Sequence, residues 1–524
     1  MTEPAAVSHT DRLFERFGPA YRWYVSGTVM LGTISTVLTA TIVNVALPDI
    51  MGTFGMGQDV ASLLSTGFLA AMTGTMLLNA WMVESFGQRA TFISAMSLFL
   101  LASIMGGLAP GQELLILSRL LQGAAAGILQ PLSMQVIFQV FPPEKRGSAM
   151  GIYALGVVLA PAFGPTLGGV MVDGFSWRYV FFLCVPPALL GLLLATLFMP
   201  GRAARARIKP FDWIGFGLMS LFLMSLLNGL SNGQRYGWHS NWIVGLLVLA
   251  LVSACAFLLW ELCHPAPMLN LRLFRSRGFA GACLVALIFG AGNYGTAYLV
   301  PLFVQTIQGY TPTRSGLLLM PAGLILGLVF PISGRLADKI PAYLMIMVGL
   351  GLFALSSFLL TGVDVQSTFW ALAGWIMIGR IGLGTMIPSL NAGALRALPA
   401  AWIGQGSGTI NFVRQLGGAF GVNLLAVLLE RRTQLYVAAL TATQDGSGAA
   451  TRSLLQGVGQ LLSKAGLPTS QLRGGELNYL GRMIYAQGNL LSYRDSFMLV
   501  AAIFVLALLP ALLMRQTLGE QRLK

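Results

Sequence analysis

The chain has 524 residues, 56% of them hydrophobic and only 10% charged, against roughly a quarter charged in soluble domains, so an ordinary globular protein is excluded. The net charge of +14 does not point to nucleic acid, because Lys and Arg collect in short loops between apolar runs, where they specify membrane orientation. Three histidines (His9, His239, His264) and the cysteines Cys184, Cys255, Cys263 and Cys283 show no metal spacing, and no Walker loop or nucleophile elbow is present; the reading is a non-enzyme without metal or cofactor.

Apolar runs long enough to cross the hydrocarbon core, about twenty residues each, recur at 24–47, 61–82, 91–109, 113–137, 149–171, 179–199, 212–230, 241–261, 279–304, 315–336, 342–361, 368–390, 406–429 and 496–514. These predict fourteen transmembrane helices. The polar first twenty residues lack an apolar core followed by a cleavage site, so the first run reads as a retained span. One face receives Arg12, Arg16, Arg22, Arg89, Lys145, Arg146, Arg202, Arg205, Arg207, Lys209, Arg272, Arg275, Arg277, Arg335, Lys339, Arg396, Arg515, Arg522 and Lys524. Short loops of the other face hold only Arg178, Arg235 and Arg314, and seven more basic residues fall in the long 431–495 loop, which the positive-inside rule discounts. Both termini are therefore predicted to be cytoplasmic.

Along the chain, helix one carries Thr41-Ile-Val-Asn44-Val-Ala-Leu-Pro48, and the loop after helix two reads Val83-Glu84-Ser-Phe-Gly87-Gln-Arg89. Helix four carries Arg119-Leu-Leu-Gln122-Gly123 before Pro131, and helix five carries Pro161-Ala-Phe-Gly164-Pro165-Thr-Leu-Gly168-Gly169. Glycines at that spacing let another helix approach, while the prolines remove backbone donors and permit a bend. The second half echoes the first: Gly334-Arg335-Leu-Ala-Asp338-Lys-Ile340 follows helix ten, Arg380-Ile-Gly-Leu-Gly384 precedes Pro388 in helix twelve, and Gly406-Ser407 precedes Ala419-Phe-Gly421 in helix thirteen. Two related six-helix bundles explain the duplication. The expected division is 1–210 for the N-terminal bundle, 211–271 for two inserted transmembrane helices, and 272–524 for the C-terminal bundle with a long extracytoplasmic loop at 431–495. Within that loop Ser453–Ala465 has the spacing of an amphipathic helix.

Together these pieces resemble the major facilitator superfamily, more narrowly its fourteen-helix drug:proton antiporters of the EmrB/QacA type. Asn411-x-x-Arg414-Gln415-x-Gly417-Gly418 in helix thirteen and Tyr493-Arg494-Asp495-Ser-Phe497 before helix fourteen add to the match. The resemblance implies an all-α polytopic protein of the bacterial inner membrane that exchanges small lipophilic substrates for protons by alternating access. It also implies a gating role for Glu84, Gly87, Arg89, Arg335 and Asp338, and for Gly164, Pro165, Gly168 and Gly169 at the interface between halves. Gram-negative relatives of this kind commonly work with a periplasmic adaptor and an outer-membrane channel, which makes both expected partners alongside the lipid bilayer; nucleic acid is not one.

The chain departs from the family in helix one, where the usual aspartate is replaced by Thr39; Asp49 lies about 15 Å further along the helix. No acidic residue falls near a predicted helix centre, and the deep ionisable residues are Arg119, Arg380 and Arg414. Charge in the hydrocarbon region is tolerated only against partners, water or a pathway. A positively charged interior without a carboxylate favours neutral or anionic lipophiles over cations. The pathway is expected to include Thr39, Asn44, Asp49, Arg119, Gln122, Tyr153, Arg380, Asn411 and Arg414. Competing readings are a dedicated metabolite, fatty-acid or siderophore exporter and, in a different class, a non-transporting membrane scaffold or receptor.

Overall fold

The computed structural model describes residues 9–201, 210–265, 267–444, 448–466 and 468–515. Its described residues form helices and connecting turns, because each apolar run satisfies its backbone polar groups internally, as a membrane span requires. Helix one is Tyr21–Phe54, helix two is the pair Gln58–Thr75 and Leu78–Phe86, helix three Gln88–Gly107, helix four Gln112–Val140, helix five Arg146–Gly174 and helix six the pair Tyr179–Phe182 and Val185–Phe198. The inserted hairpin is helix seven, Trp213–Tyr236, and helix eight, Asn241–Cys263. Helices nine to twelve are Arg277–Thr306, Pro312–Lys339, Ala342–Leu359 and Phe369–Arg396; helix thirteen is Ile403–Thr443, and helix fourteen is the pair Thr469–Leu506 and Leu508–Leu513.

Helix two bends by 54° at its break. Helix four causes the crowding there: a Cβ on Gly123 would strike the carbonyl of Phe68, a Cβ on Gly127 that of Met72, and Thr75 Oγ1 donates to Ala124 O at 2.9 Å. Backbones this close are possible only where side chains are absent.

The repeat is visible in the packing. Helix one packs on helices four, five and six, helix two on four, and helix three on four and six; helices nine to fourteen repeat the same set of neighbours. Between the halves, helix five packs on helix ten and helix thirteen on helix two, the two contacts being symmetry equivalents. Helices seven and eight pair with each other, and helix seven leans on helix two.

The segment expected as a loop at 431–495 is helical over most of its length. Helix thirteen runs on to Thr443, helix fourteen starts at Thr469, and Ala449–Lys464 forms a helix between them. Helices thirteen and fourteen are joined here by polar contacts beside a few buried apolar residues such as Leu455 and Val458: Tyr436 OH donates to Asp495 at 2.9 Å and Arg432 meets Asp495 at 3.5 Å, while Arg473 pairs with Glu476 at 3.5 Å within helix fourteen. Low hydropathy with helical hydrogen bonding is why it reads as a loop by composition.

Candidate functional site at the seam between the halves

Among the described residues Arg119 is the largest fully buried side chain. Its Nε donates to Leu64 O at 2.9 Å, and Nη1 donates to Gln122 Oε1 at 2.9 Å and Thr39 O at 3.4 Å, while the guanidinium lies 4.2 Å from the centre of the Phe68 ring. Gln122 in turn donates to Ser103 Oγ at 2.9 Å. Arg119 thus ties helix four to helices one and two through neutral acceptors and a π-face, with Nη2 buried and without a hydrogen-bond partner among the described residues. The Thr39 hydroxyl donates to Ser35 O and Cys184 Sγ, both at 2.9 Å, within the first bundle. Phe68 and Ser103, which complete this cluster, carry no spacing signal that would single them out in the sequence.

The second half has an equivalent built differently. Arg380 of helix twelve, only partly buried, donates to Asn293 Oδ1 of helix nine at 3.1 Å. Arg414 of helix thirteen donates to Asn411 Oδ1, and Asn411 Nδ2 reaches across the seam to Met134 Sδ of helix four at 3.3 Å. Tyr153 of helix five donates to Gln130 O at 3.3 Å and faces Arg414 from the other half. Tyr294 OH donates to Gln415 Oε1 at 3.2 Å. Tyr153, Asn411, Arg414 and Gln415 are therefore brought together at the seam, whereas Arg119, Thr39 and Gln122 belong to the interior of the first bundle. Asp49 is exposed five residues before helix one ends, apart from both groups. The side chains of Asn44 and Pro165 lie outside the described residues.

The helix-five glycines also take a different place from the one expected. A Cβ on Gly164 would strike Thr41 Oγ1, and one on Gly168 would come within 2.8 Å of Ile42 Cγ1, so both face helix one inside the first bundle, while Gly169 has open space. Gly417 and Gly421 likewise face the backbone of Leu287 and Ala291 on helix nine. The cross-seam approach is made by other glycines: Gly151, where a Cβ would sit 2.8 Å from Phe330 O and 3.0 Å from Gly334 Cα, and Gly408, 2.7 Å from Met76 O.

The end where helix five starts and helix ten closes is latched. Asp338, at the close of helix ten, accepts from Gly147 N at 2.6 Å and Ser148 N at 3.0 Å at the start of helix five, where the helix dipole favours an anion. Arg396 pairs with Asp338 at 3.5 Å and donates to Pro143 O at 3.3 Å. Arg335 is exposed. In the first-half loop, Gly87 adopts φ +84 to turn the chain between helices two and three, and Arg89 binds Thr196 O through its side chain and Pro200 O through its amide, holding helix three to helix six.

Residues 29–422 match the model of the Major Facilitator Superfamily. The chain is 30% identical over 493 residues to the multidrug export protein EmrB of Haemophilus influenzae, covering 94% of this chain and 95% of that one. It is 30% identical over 424 residues to the fatty acid resistance protein FarB of Neisseria gonorrhoeae, covering 80% and 83%. The crystal structure of the human organic anion transporter MFSD10 aligns with a TM-score of 0.59 at 13% identity, over 92% of this chain and 99% of that one, a likeness of fold. With its duplicated six-helix bundles and inserted hairpin, this chain belongs to the major facilitator superfamily, beside its EmrB-like multidrug transporters.

Proposed function

We propose that the protein is a secondary exporter of neutral or anionic lipophilic compounds, working by rocking of its two bundles about the seam. The observation that carries this reading is the set of mid-membrane guanidinium groups, Arg119, Arg380 and Arg414, whose described partners are carbonyl and amide oxygens and a ring face rather than carboxylates. Net positive charge that the protein itself leaves uncompensated is costly in a low-dielectric layer, and an anionic substrate group lowers that cost where a cation raises it. The relative named for fatty-acid resistance supports the same substrate class.

Symmetry supports the rocking. Helices five and thirteen each present one set of glycines to their own bundle and another to the opposite one, so each can pivot as a unit against a side-chain-free surface. The loop charges support an inner-membrane setting with both termini in the cytoplasm, so that the Asp338 latch closes the cytoplasmic end. The domain division is 1–210, 211–271 and 272–524. For an adaptor and outer-membrane channel, the surface on offer is the protruding tip, where Leu461, Tyr479 and Tyr485 are exposed.

The test is uptake by purified protein in liposomes under an imposed pH gradient, with anilinonaphthalene sulfonate and ethidium side by side. The sulfonate is expected to move, and Arg414→Gln to slow it by about tenfold, the worth of one ~1.4 kcal/mol charge-assisted contact. Ethidium transport undiminished in Arg414→Gln would overturn the substrate class.

A further inference from the structure

Among the described residues only two acidic side chains are buried, Asp212 and Glu261, each 3% exposed. They lie 49 residues apart in sequence, at the two ends of the inserted hairpin that share one membrane face. Asp212 caps helix seven: its Oδ1 accepts from Gly215 N at 2.8 Å and from Trp260 Nε1 at 2.9 Å. Glu261, in the last turn of helix eight, accepts from Leu269 N through Oε2 at 3.2 Å. Each carboxylate therefore has one oxygen engaged. The other two oxygens, Asp212 Oδ2 and Glu261 Oε1, are buried and have no hydrogen-bond partner among the described residues.

Those two oxygens converge. The point a Cβ on Gly215 would occupy is within 3.0 Å of both, which brings them inside the ~4–6 Å range where like charges act strongly on one another. Two ionised carboxylates there repel, and one proton held by the pair removes that repulsion. No trio of His, Cys, Asp and Glu among the described residues is placed to hold a metal ion, so the pair suits a proton rather than a metal. The charged and titratable groups around it are Glu84 from helix two, Cys263 and His264 at the end of helix eight, and Arg272 from the linker, with His264 Nδ1 4.0 Å from Asp212 Oδ2. All border one cavity of about 550 Å³, which also reaches Gln405 of helix thirteen and is roomy enough for water to carry protons in and out.

We propose that Asp212 and Glu261 share one exchangeable proton, and that this pair is the protonation site through which pH acts on the seam. The path outward is short. Glu261 holds the amide of Leu269, the neighbouring Asn270 donates to Gln405 Oε1 at 3.1 Å, and Gln405 lies in the first turn of helix thirteen, the helix that packs on helix two across the seam. Protonating the pair changes the hold on the linker and so on helix thirteen. This supplies a titrating carboxyl pair to a chain whose helix one has Thr39 and whose other deep ionisable residues are arginines. The consequence for transport rests on the alternating-access reading above; the shared proton does not.

The experiment has two arms on the full-length protein, with Asp212→Asn and Glu261→Gln, which keep the cap and the Leu269 acceptor. Infrared difference spectra recorded across a pH titration should show a protonated-carboxyl stretch in the wild type that disappears in either variant. In liposomes, gradient-free exchange of anilinonaphthalene sulfonate should stay within threefold of wild type while pH-gradient-driven uptake falls at least tenfold. A carboxyl band unchanged in both variants overturns the proposal, as does its removal by sodium, potassium or magnesium at fixed pH, which would make the site a cation site. Full retention of gradient-driven uptake overturns the coupling role. Wild-type protein that moves no probe would count against the transport reading alone, and the infrared arm would still decide the proton.

Discussion

The two copies of the short loop, Val83–Arg89 after helix two and Gly334–Ile340 after helix ten, echo each other in sequence and do different work. In the second copy, Asp338 crosses the seam and grips the first turn of helix five. In the first, Arg89 stays within its own bundle and fastens helix three to the end of helix six, while Glu84 borders the cavity under the inserted hairpin. At the start of helix thirteen, the symmetry equivalent of the helix gripped by Asp338, Gly404 instead rests on Gln135 and Gln405 bonds Asn270. Duplication fixed where the bundles meet, and the inserted helices gave the first copy different neighbours. The latch is therefore one-sided.

That asymmetry can be broken in graded steps. The largest effect is expected from Gly151→Leu, because its Cβ alone would press on the backbone of Phe330 and Gly334, which cannot move aside as a side chain can. Overpacking of up to about 3 kcal/mol would reduce the closed population about a hundredfold, read as a lengthened distance between spin labels at Lys145 and Lys339. Asp338→Asn comes next: it keeps the shape but loses the charge that strengthens two amide bonds, about 1–2 kcal/mol, and the same label pair should report closure weakened roughly tenfold. If the spin-label distance distribution of Asp338→Asn matches wild type, the latch lies elsewhere. Arg89→Ala should have the smallest effect on closure, leaving the label distance unchanged while lowering the thermal unfolding temperature of the purified protein by a few degrees, as loss of about 1 kcal/mol would. Opening of the seam in Arg89→Ala would show that both loop copies gate.

Much of the architecture was legible because the membrane imposes it. A span needs about twenty apolar residues and cannot leave backbone groups unpaired, so hydropathy located the helices, and the repeated loops and arginines disclosed the duplication. The extension at 431–495 was not legible as helix, since its sequence is polar and includes pairs such as Arg432 and Asp495, which carry no hydropathy signal. The roles of the glycines were half legible. Spacing showed that Gly164 and Gly168 admit a close neighbour, but a helix has several faces, and only the packing assigns theirs to helix one and that of Gly151 to helix ten.

By itself the sequence determined a polytopic helical chain of two related halves with buried arginines and no central carboxylate, because composition and periodicity act locally along the chain. Only the tertiary structure decided which groups meet: Arg119 with the carbonyls of Leu64 and Thr39, Asp338 with the start of helix five, and Asp212 with Glu261 beside the space left by Gly215. The physical reason is that hydrogen bonds and charge act over a few ångström in space, and residues 49 or 191 positions apart come that close only once the helices have packed.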